Sequence, residues 1–361
     1  VRYLFVHTGR EWSGTARAFA AAARGLADRG HQVTFVAEPD CTVERVVSQL
    51  AAVPGKPPLF EVASLSFDNT WMATAWRLCG LVQRVQADVV FVQGNREHFV
   101  AAVAYKLGSR ATIVRRVPAG HTLSMNLTGR VATWLAPTCF LFTNEPDARS
   151  AVLPRRATGR VLAPLGVRLP PANNGAPPPA EEYIVCLHDA SSRSRAATAI
   201  RTVAMLSRQH PRLRLVVMGE GAYDDDLRMQ AAALRSLNLI SFLGERDDAL
   251  HVMRGARVGW IVSDSDTAAY GMLDLMSLGV PVIAGEHTVA ERYILSEITG
   301  ILLPPDDAFQ TAAAVAELLT ADTQRETMGH AARARVEREF PESAMIDGFE
   351  RAASTAVRGR P

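Results

Sequence analysis

Short, continuously apolar runs alternate with helix-period segments from one end of this chain to the other, and that alternation limits the fold more than any other feature. RYLFVH (Arg2–His7), HQVTFVA, LFEVASL, DVVFVQG (Asp88–Gly94), TIVRRV (Thr112–Val117) and TCFLFT read as buried strands. Between them lie helical segments, among them Thr15 to about Arg29 and TWMATAWRLCGLVQRVQA. Strand, helix, strand in repetition demands right-handed crossovers and parallel sheets covered on both faces. The alternation then stops at RLPPANNGAPPPAEE, which holds five prolines and almost no apolar residue, the composition of an extended linker. It resumes with YIVCLHD (Tyr183–Asp189), RLRLVVMGEG (Arg212–Gly221), ISFLGE and VGWIVSD. The sequence therefore predicts an α/β chain with one doubly wound domain over 1–168, a linker over 169–181 and a second such domain over 182–340. A terminal helix over 341–361, opened by Pro341, is expected to cross back to the first domain.

At 361 residues the chain can bury two cores. Four cysteines stand far apart without Cys-x-x-Cys spacing, which argues against a disulfide framework or zinc site and for a cytoplasmic setting. No uncharged apolar run is long enough to span a membrane, and the N-terminus enters a strand at once rather than a secretion signal. Up to Leu165 there are 19 Lys and Arg against 11 Asp and Glu; beyond it the numbers are 39 − 19 = 20 and 37 − 11 = 26. A basic first half suits an anionic acceptor or peripheral contact at the inner face of an anionic membrane, or is simply a solvated face. Without a dense basic run or basic–aromatic interleaving, nucleic acid is not expected. LSMNLTGRVATWLA could rest on a membrane surface, but it is short and weakly basic, so packing against the sheet is expected. Trp71, Met72 and Trp76, at helical spacing, read as core.

Chemistry concentrates in RVGWIVSDSDTAAYGMLDLMSLGVPVIAGEHTVAERYILSEITGILLPP (Arg257–Pro305). Asp266 falls in the predicted loop after a strand, and Asp274 on the predicted helix from about Tyr270 to Leu278. This stretch resembles the donor-binding core of retaining nucleotide-sugar glycosyltransferases of the GT-B fold, family 4 (glycosyl transferases group 1). There two glutamates separated by seven residues bracket a Gly-rich turn, and a helix leads into Gly-x-Pro-Val. LDLMSLGVPVIA fits; both glutamates are aspartates here, and the turn reads Thr267-Ala268-Ala269-Tyr270. The resemblance implies a GT-B architecture, two Rossmann-like doubly wound parallel-sheet domains facing across a cleft.

It also implies roles residue by residue. Asp274 would accept the donor ribose hydroxyls, although an aspartate is shorter than a glutamate by about 1.5 Å. Asp266 would face the donor sugar, or else cap the following helix. Arg193 and Arg195 stand near the family's phosphate-binding lysine and would take the diphosphate, or merely flank a helix start. Gly219 and Gly221 match its glycine pair, Glu245 its nucleobase-contacting strand end, and Tyr270 with Gly271 the turn beside the sugar. Ser13 and Gly14 open a helix whose free N–H groups favour a diphosphate, with Arg17 facing the acceptor or solvated. Arg116 occupies roughly the place of the family's histidine after the TIVRRV strand; His121 follows as a catalytic candidate or a surface histidine.

The function so implied is metal-independent retaining transfer from a nucleotide diphosphate sugar, with no cofactor and no metal ligand. The acceptor would be a glycan, glycolipid or natural product. Loss of both glutamates and of the strand-end arginine leaves a second reading open, a weak or inactive GT-B protein acting as a binding partner. A sugar-nucleotide epimerase shares the fold but lacks these motifs.

Overall fold

The computed structural model describes residues 1–67, 70–118, 123, 126–171, 182–188, 193–219, 225–246, 248–263, 265–305 and 307–359, without the side chains of 193–195 and 288. Two compact units emerge, Val1–Leu165 with Glu342–Pro361, and Gly166–Pro341.

The first unit is built on strands β1 (Arg2–Val6), β2 (Gln32–Ala37), β3 (Glu61–Ser64), β4 (Val89–Val92), β5 (Thr112–Val117), β6 (Thr138–Phe142) and β7 (Ala157–Leu162). They form a seven-stranded sheet in the order β3-β2-β1-β4-β5-β6-β7, every pairing parallel. Its helices are α1 (Gly14–Asp28), α2 (Thr42–Ala51), α3 (Trp71–Val85), α4 (Asn95–Ala104), α5 (Leu127–Leu135) and α6 (Glu145–Ser150). Helices α3, α4 and α5 lie side by side and share one apolar core with β1, β4 and β5. Chain order reverses between β1 and β4, so the crevice beyond their carboxyl ends is the switch point of this sheet.

One expectation fails in that helical layer. Trp71, Met72 and Trp76 are exposed, because α3 turns Thr74, Ala75, Leu78, Cys79 and Val82 to the sheet instead. Helix α5 packs as expected, yet with Gly129, Ala132 and Thr133 inward, which leaves Leu127 and Trp134 in solvent. At α4 the cap position is Gly94, and the Glu97 carboxylate folds back over that glycine, where a Cβ would obstruct it.

The last helix, α14 (Glu342–Arg358), packs on α1, β5, β6 and β7. Its Met345, Ile346, Phe349, Ala352, Ala353 and Ala356 form one buried stripe. Phe349 enters an aromatic cluster in which Phe5 stacks on Phe91, centroids 4.6 Å apart, and meets Phe19 edge-on at 5.4 Å.

The second unit carries β8 (Tyr183–Leu187), β9 (Arg214–Met218), β10 (Ile240–Gly244), β11 (Val258–Ile261), β12 (Val282–Gly285) and β13 (Gly300–Leu303). The six strands run parallel in the order β10-β9-β8-β11-β12-β13, with the switch point between β8 and β11. Helices α7 (Arg193–Leu206), α8 (Asp225–Ala233), α9 (Ala249–Gly255), α10 (Asp266–Ser277), α11 (Thr288–Tyr293), α12 (Ala308–Thr320) and α13 (Asp322–Glu339) complete it. The chain joins this unit at Gly166, ahead of the expected linker. Val167 N–H donates to Phe340 O at 3.0 Å, and Arg333 reaches Pro170 O at 2.9 Å. Most of the Pro-rich segment, 172–181, lies outside the described residues.

Candidate functional site

In the second unit the candidate residues gather on α10. The helix starts at Asp266 rather than near Tyr270, because Ser265 caps it: Ser265 Oγ accepts from Ala268 N at 3.2 Å. Thr267-Ala268-Ala269 contains no glycine to interrupt a helix, so the stretch read as a loop becomes its first turn. This corrects the loop placement of Asp266 and gives the capping role to its neighbour. The consequence is a stripe. Asp266, Tyr270 and Asp274 now stand at i, i+4 and i+8 on one side of the helix, all three buried. The two carboxylates are about 12 Å apart along the axis. Gly271 faces the sheet instead, where a Cβ would come within 2.6 Å of Leu187 Cδ1.

The first turn of α10, with Asp266, follows β11 and opens at the strand ends of the switch point, while Asp274 lies two turns further along the helix. His188, buried, leaves β8, and Ser263, buried, leaves β11 with its Oγ donating to Ser265 Oγ at 3.1 Å. Gly219 has φ +115°, and a Cβ there would strike the His188 carbonyl; its N–H donates to Gly244 O at 3.0 Å. Only glycine lets the ends of β8, β9 and β10 converge in this way. Glu245 follows β10 and is exposed. The N-terminus of α7 comes shortly after β8 and directs a helix dipole to the same sheet end. Arg193 and Arg195 belong to that first turn, but their side chains, like Gly221, lie outside the described residues.

A second polar cluster sits at the switch point of the first unit. The buried Arg116 guanidinium donates through Nη1 to Gln93 Oε1 at 3.0 Å. Thr8 Oγ1 donates to Glu97 Oε1 at 2.5 Å, tying the segment after β1 to the one after β4. His7, also buried, has neither ring nitrogen hydrogen-bonded among the described residues. Burial, reinforced by the Arg116 charge, pushes its pKa down to about 4, so the ring is neutral at pH 7. Behind it, Arg115 Nη1 points at His98 Nδ1 at 3.4 Å while His98 Nε2 meets Thr138 Oγ1 at 3.0 Å. Burial and then the Arg115 charge bring His98 to about 3.

Arg116 thus bonds Gln93 and acts on His7, with the Thr8–Glu97 pair at the same sheet end, and the sequence reading singled out none of these four partners. The available signal was positional: each follows a strand that flanks the switch point, or ends one. His121 lies outside the described residues. Ser13 is the N-cap of α1, accepting from Ala16 N at 3.3 Å, and Gly14 is its buried first residue; Arg17 is half-buried one turn on.

A neutral imidazole beside a fixed guanidinium can orient a hydroxyl while holding an anion. The α10 carboxylates suit polyol hydroxyls. Among the described residues no group of three or more His, Cys, Asp or Glu is placed to hold a metal ion. Nor is any helix among them long and apolar enough to cross a membrane.

Comparison with known proteins divides the chain the same way. Residues 12–151 match the family model Glycosyltransferase Family 4, and residues 173–335 match Glycosyl transferases group 1. Glycogen synthase of Mycobacterium tuberculosis is 26% identical over 163 residues, 45% of this chain and 39% of that protein. Phosphatidyl-myo-inositol mannosyltransferase of Mycolicibacterium smegmatis is 31% identical over 146 residues, 39% of this chain and 36% of that one. The matches thus span about two fifths of these curated relatives. Among solved structures, Anabaena HepE in complex with UDP-glucose superposes with a TM-score of 0.78 at 15% identity, covering 98% of this chain and 99% of that one.

Proposed function

With a glycosyltransferase family model matched in each half, the chain has the domain pair of GT-B glycosyltransferases of the family 4 and group 1 kind, and from that premise we propose that it moves a hexosyl group from a nucleotide diphosphate sugar to an acceptor hydroxyl with retention of configuration and without a metal. The observation that carries this reading is the buried Asp266–Tyr270–Asp274 stripe on α10, the helix that starts after β11 at the β8/β11 switch point, inside the segment matched to the group 1 family.

In this reading Asp274 accepts the ribose hydroxyls and Asp266 orients the hydroxyls of the donor sugar. As the glycosidic bond breaks, charge collects on the departing diphosphate. The α7 N-terminus, with Arg193 and Arg195, stabilises it there, which is the work a metal does elsewhere. The acceptor belongs to the first unit. Neutral His7 and the Arg116–Gln93 pair orient its hydroxyl, and the buried guanidinium suits an acceptor that carries a phosphate. A phosphate-bearing glycolipid or glycan fits, in keeping with the phosphatidylinositol substrate named for the Mycolicibacterium relative.

Calorimetry of the full chain with uridine, guanosine and adenosine diphosphates, in chelator and with added magnesium or manganese, tests the donor half. At least one should bind in chelator with unchanged affinity. Binding that appears only when metal is restored would overturn the metal-free reading.

A further inference from the structure

The first unit carries a second feature that sugar transfer does not use. A groove of about 720 Å³ runs between α5 and the segment Ser150–Arg156. Its walls alternate apolar and basic groups: Trp134, Leu153 and Pro154 against Arg130, Arg155 and Arg156, with no acidic side chain among the described residues of the lining. Its apolar members are unusually exposed, Trp134 at 64% and Val152 at 88%, and Leu127 on the same helix is 77% exposed. Trp134 is held in place there. Arg156 Nη1 donates to its carbonyl at 2.8 Å, and the same guanidinium lies 5.9 Å from its ring centre.

The cause lies in how α5 packs. Gly129, Ala132 and Thr133 fill the buried side, so Leu127, Arg130 and Trp134 form the outward stripe at i, i+3 and i+7. Neither Arg130 nor Arg155 has a carboxylate partner among the described residues. Residues 70–137 hold eight Lys and Arg but only Asp88 and Glu97 as acids, while on α6, next to the Ser150–Arg156 segment, Glu145 pairs with Arg149 and Asp147 accepts from Asn144. Asp88 accepts from Arg2 N, and Glu97 is buried. On the same helical layer α3 turns Trp76 outward, 73% exposed.

We propose that this face, α5 with the Ser150–Arg156 segment, docks on the surface of an anionic phospholipid bilayer. Tryptophan and arginine also occur in protein interfaces, but a protein partner would need carboxylates placed to match three arginines at once, whereas a bilayer presents headgroup phosphates at every position. A bilayer interface meets both needs at once. Its headgroup phosphates answer Arg130, Arg155 and Arg156, and tryptophan settles at headgroup depth with leucine and valine just below. The proposal stands apart from the sugar-transfer reading, since docking requires neither donor nor acceptor.

Co-sedimentation of the full chain with vesicles of phosphatidylcholine alone, or of phosphatidylcholine mixed with phosphatidylglycerol, tests it. The chain should partition onto the mixed vesicles at least about tenfold better, and salt should weaken the binding. Trp134→Ser and the double variant Arg130→Glu with Arg155→Glu should each lower partition about tenfold or more. Their melting temperatures should be unchanged; all three side chains are surface groups, so either variant serves if the other folds poorly. Failure to bind mixed vesicles, or equal binding by both variants, would overturn the proposal. So would a self-association of the chain that Trp134→Ser abolishes, since a second copy would then be the occupant.

Discussion

Asp274 occupies a place where a carboxylate must be answered by hydrogen bonds: buried on α10, with Leu273, Leu275 and Met276 around it in sequence. If the answering groups include a donor ribose, Asp274→Asn removes a charge-assisted hydrogen bond worth about 1.5–3 kcal/mol. Nucleoside diphosphate affinity should then fall about tenfold or more while the melting temperature holds. A lower melting temperature with unchanged affinity of the folded protein would assign Asp274 to structure alone. His7 and His98 make a different prediction. Both are held neutral, with pKa near 4 and near 3 against an ordinary 6.5. Well above pH 6.5 neither folded nor unfolded chain protonates them, and that stability is fully present. As pH falls from 6.5 towards 4 the unfolded chain takes up protons that the folded chain refuses, so stability drops, by on the order of 3 kcal/mol for His7 alone. Melting curves across that window should show the drop, and His98→Gln, which cannot titrate there, should flatten it. No change in slope would mean that His98 is not the group responsible.

At the scale of elements, the strands were legible because parallel sheets buried on both faces need continuous apolar runs; Arg2–Val6 and Val89–Val92 are such runs. The faces of the helices were less legible. Trp71, Trp76 and Trp134 look like core by composition, but which side of a helix meets the sheet depends on shape, and alanine, glycine and threonine approach closest. Asp266 was misplaced for a related reason: a family turn was expected where this chain substitutes helix-forming residues behind a serine cap. His7 escaped notice because only the sheet order brings it to Arg116. The cap carries a prediction. Ser265→Ala should cost about 1 kcal/mol, read as a shifted urea midpoint, and Ser265→Asp should cost little. If both variants behaved alike, the α10 start would not depend on the cap. Helix α14 carries another, since Phe349 packs against Phe5, Phe19 and Phe91. Phe349→Ala should lower stability by about 3–5 kcal/mol, and a loss below about 1 kcal/mol would contradict that packing.

At the scale of the whole molecule, each unit places polar and charged groups at the switch point of its own parallel sheet. One set is carboxylate-rich, on α10; the other is built on a neutral imidazole and a buried guanidinium. In the proposed function the first set would serve a polyol donor and the second a hydroxylic acceptor. The sequence announced the two sheets and the α10 segment, and it could not announce the first-unit cluster, whose members are scattered from His7 to Arg116. The decisive measurement follows nucleoside diphosphate release from a panel of nucleotide sugars, with and without phosphate-bearing glycolipid and glycan acceptors, in chelator, with product configuration read by NMR. Release that requires an acceptor, and a product that keeps the donor's anomeric configuration, is the predicted result. A donor converted to an isomer without any acceptor, or a product of inverted configuration, would contradict it.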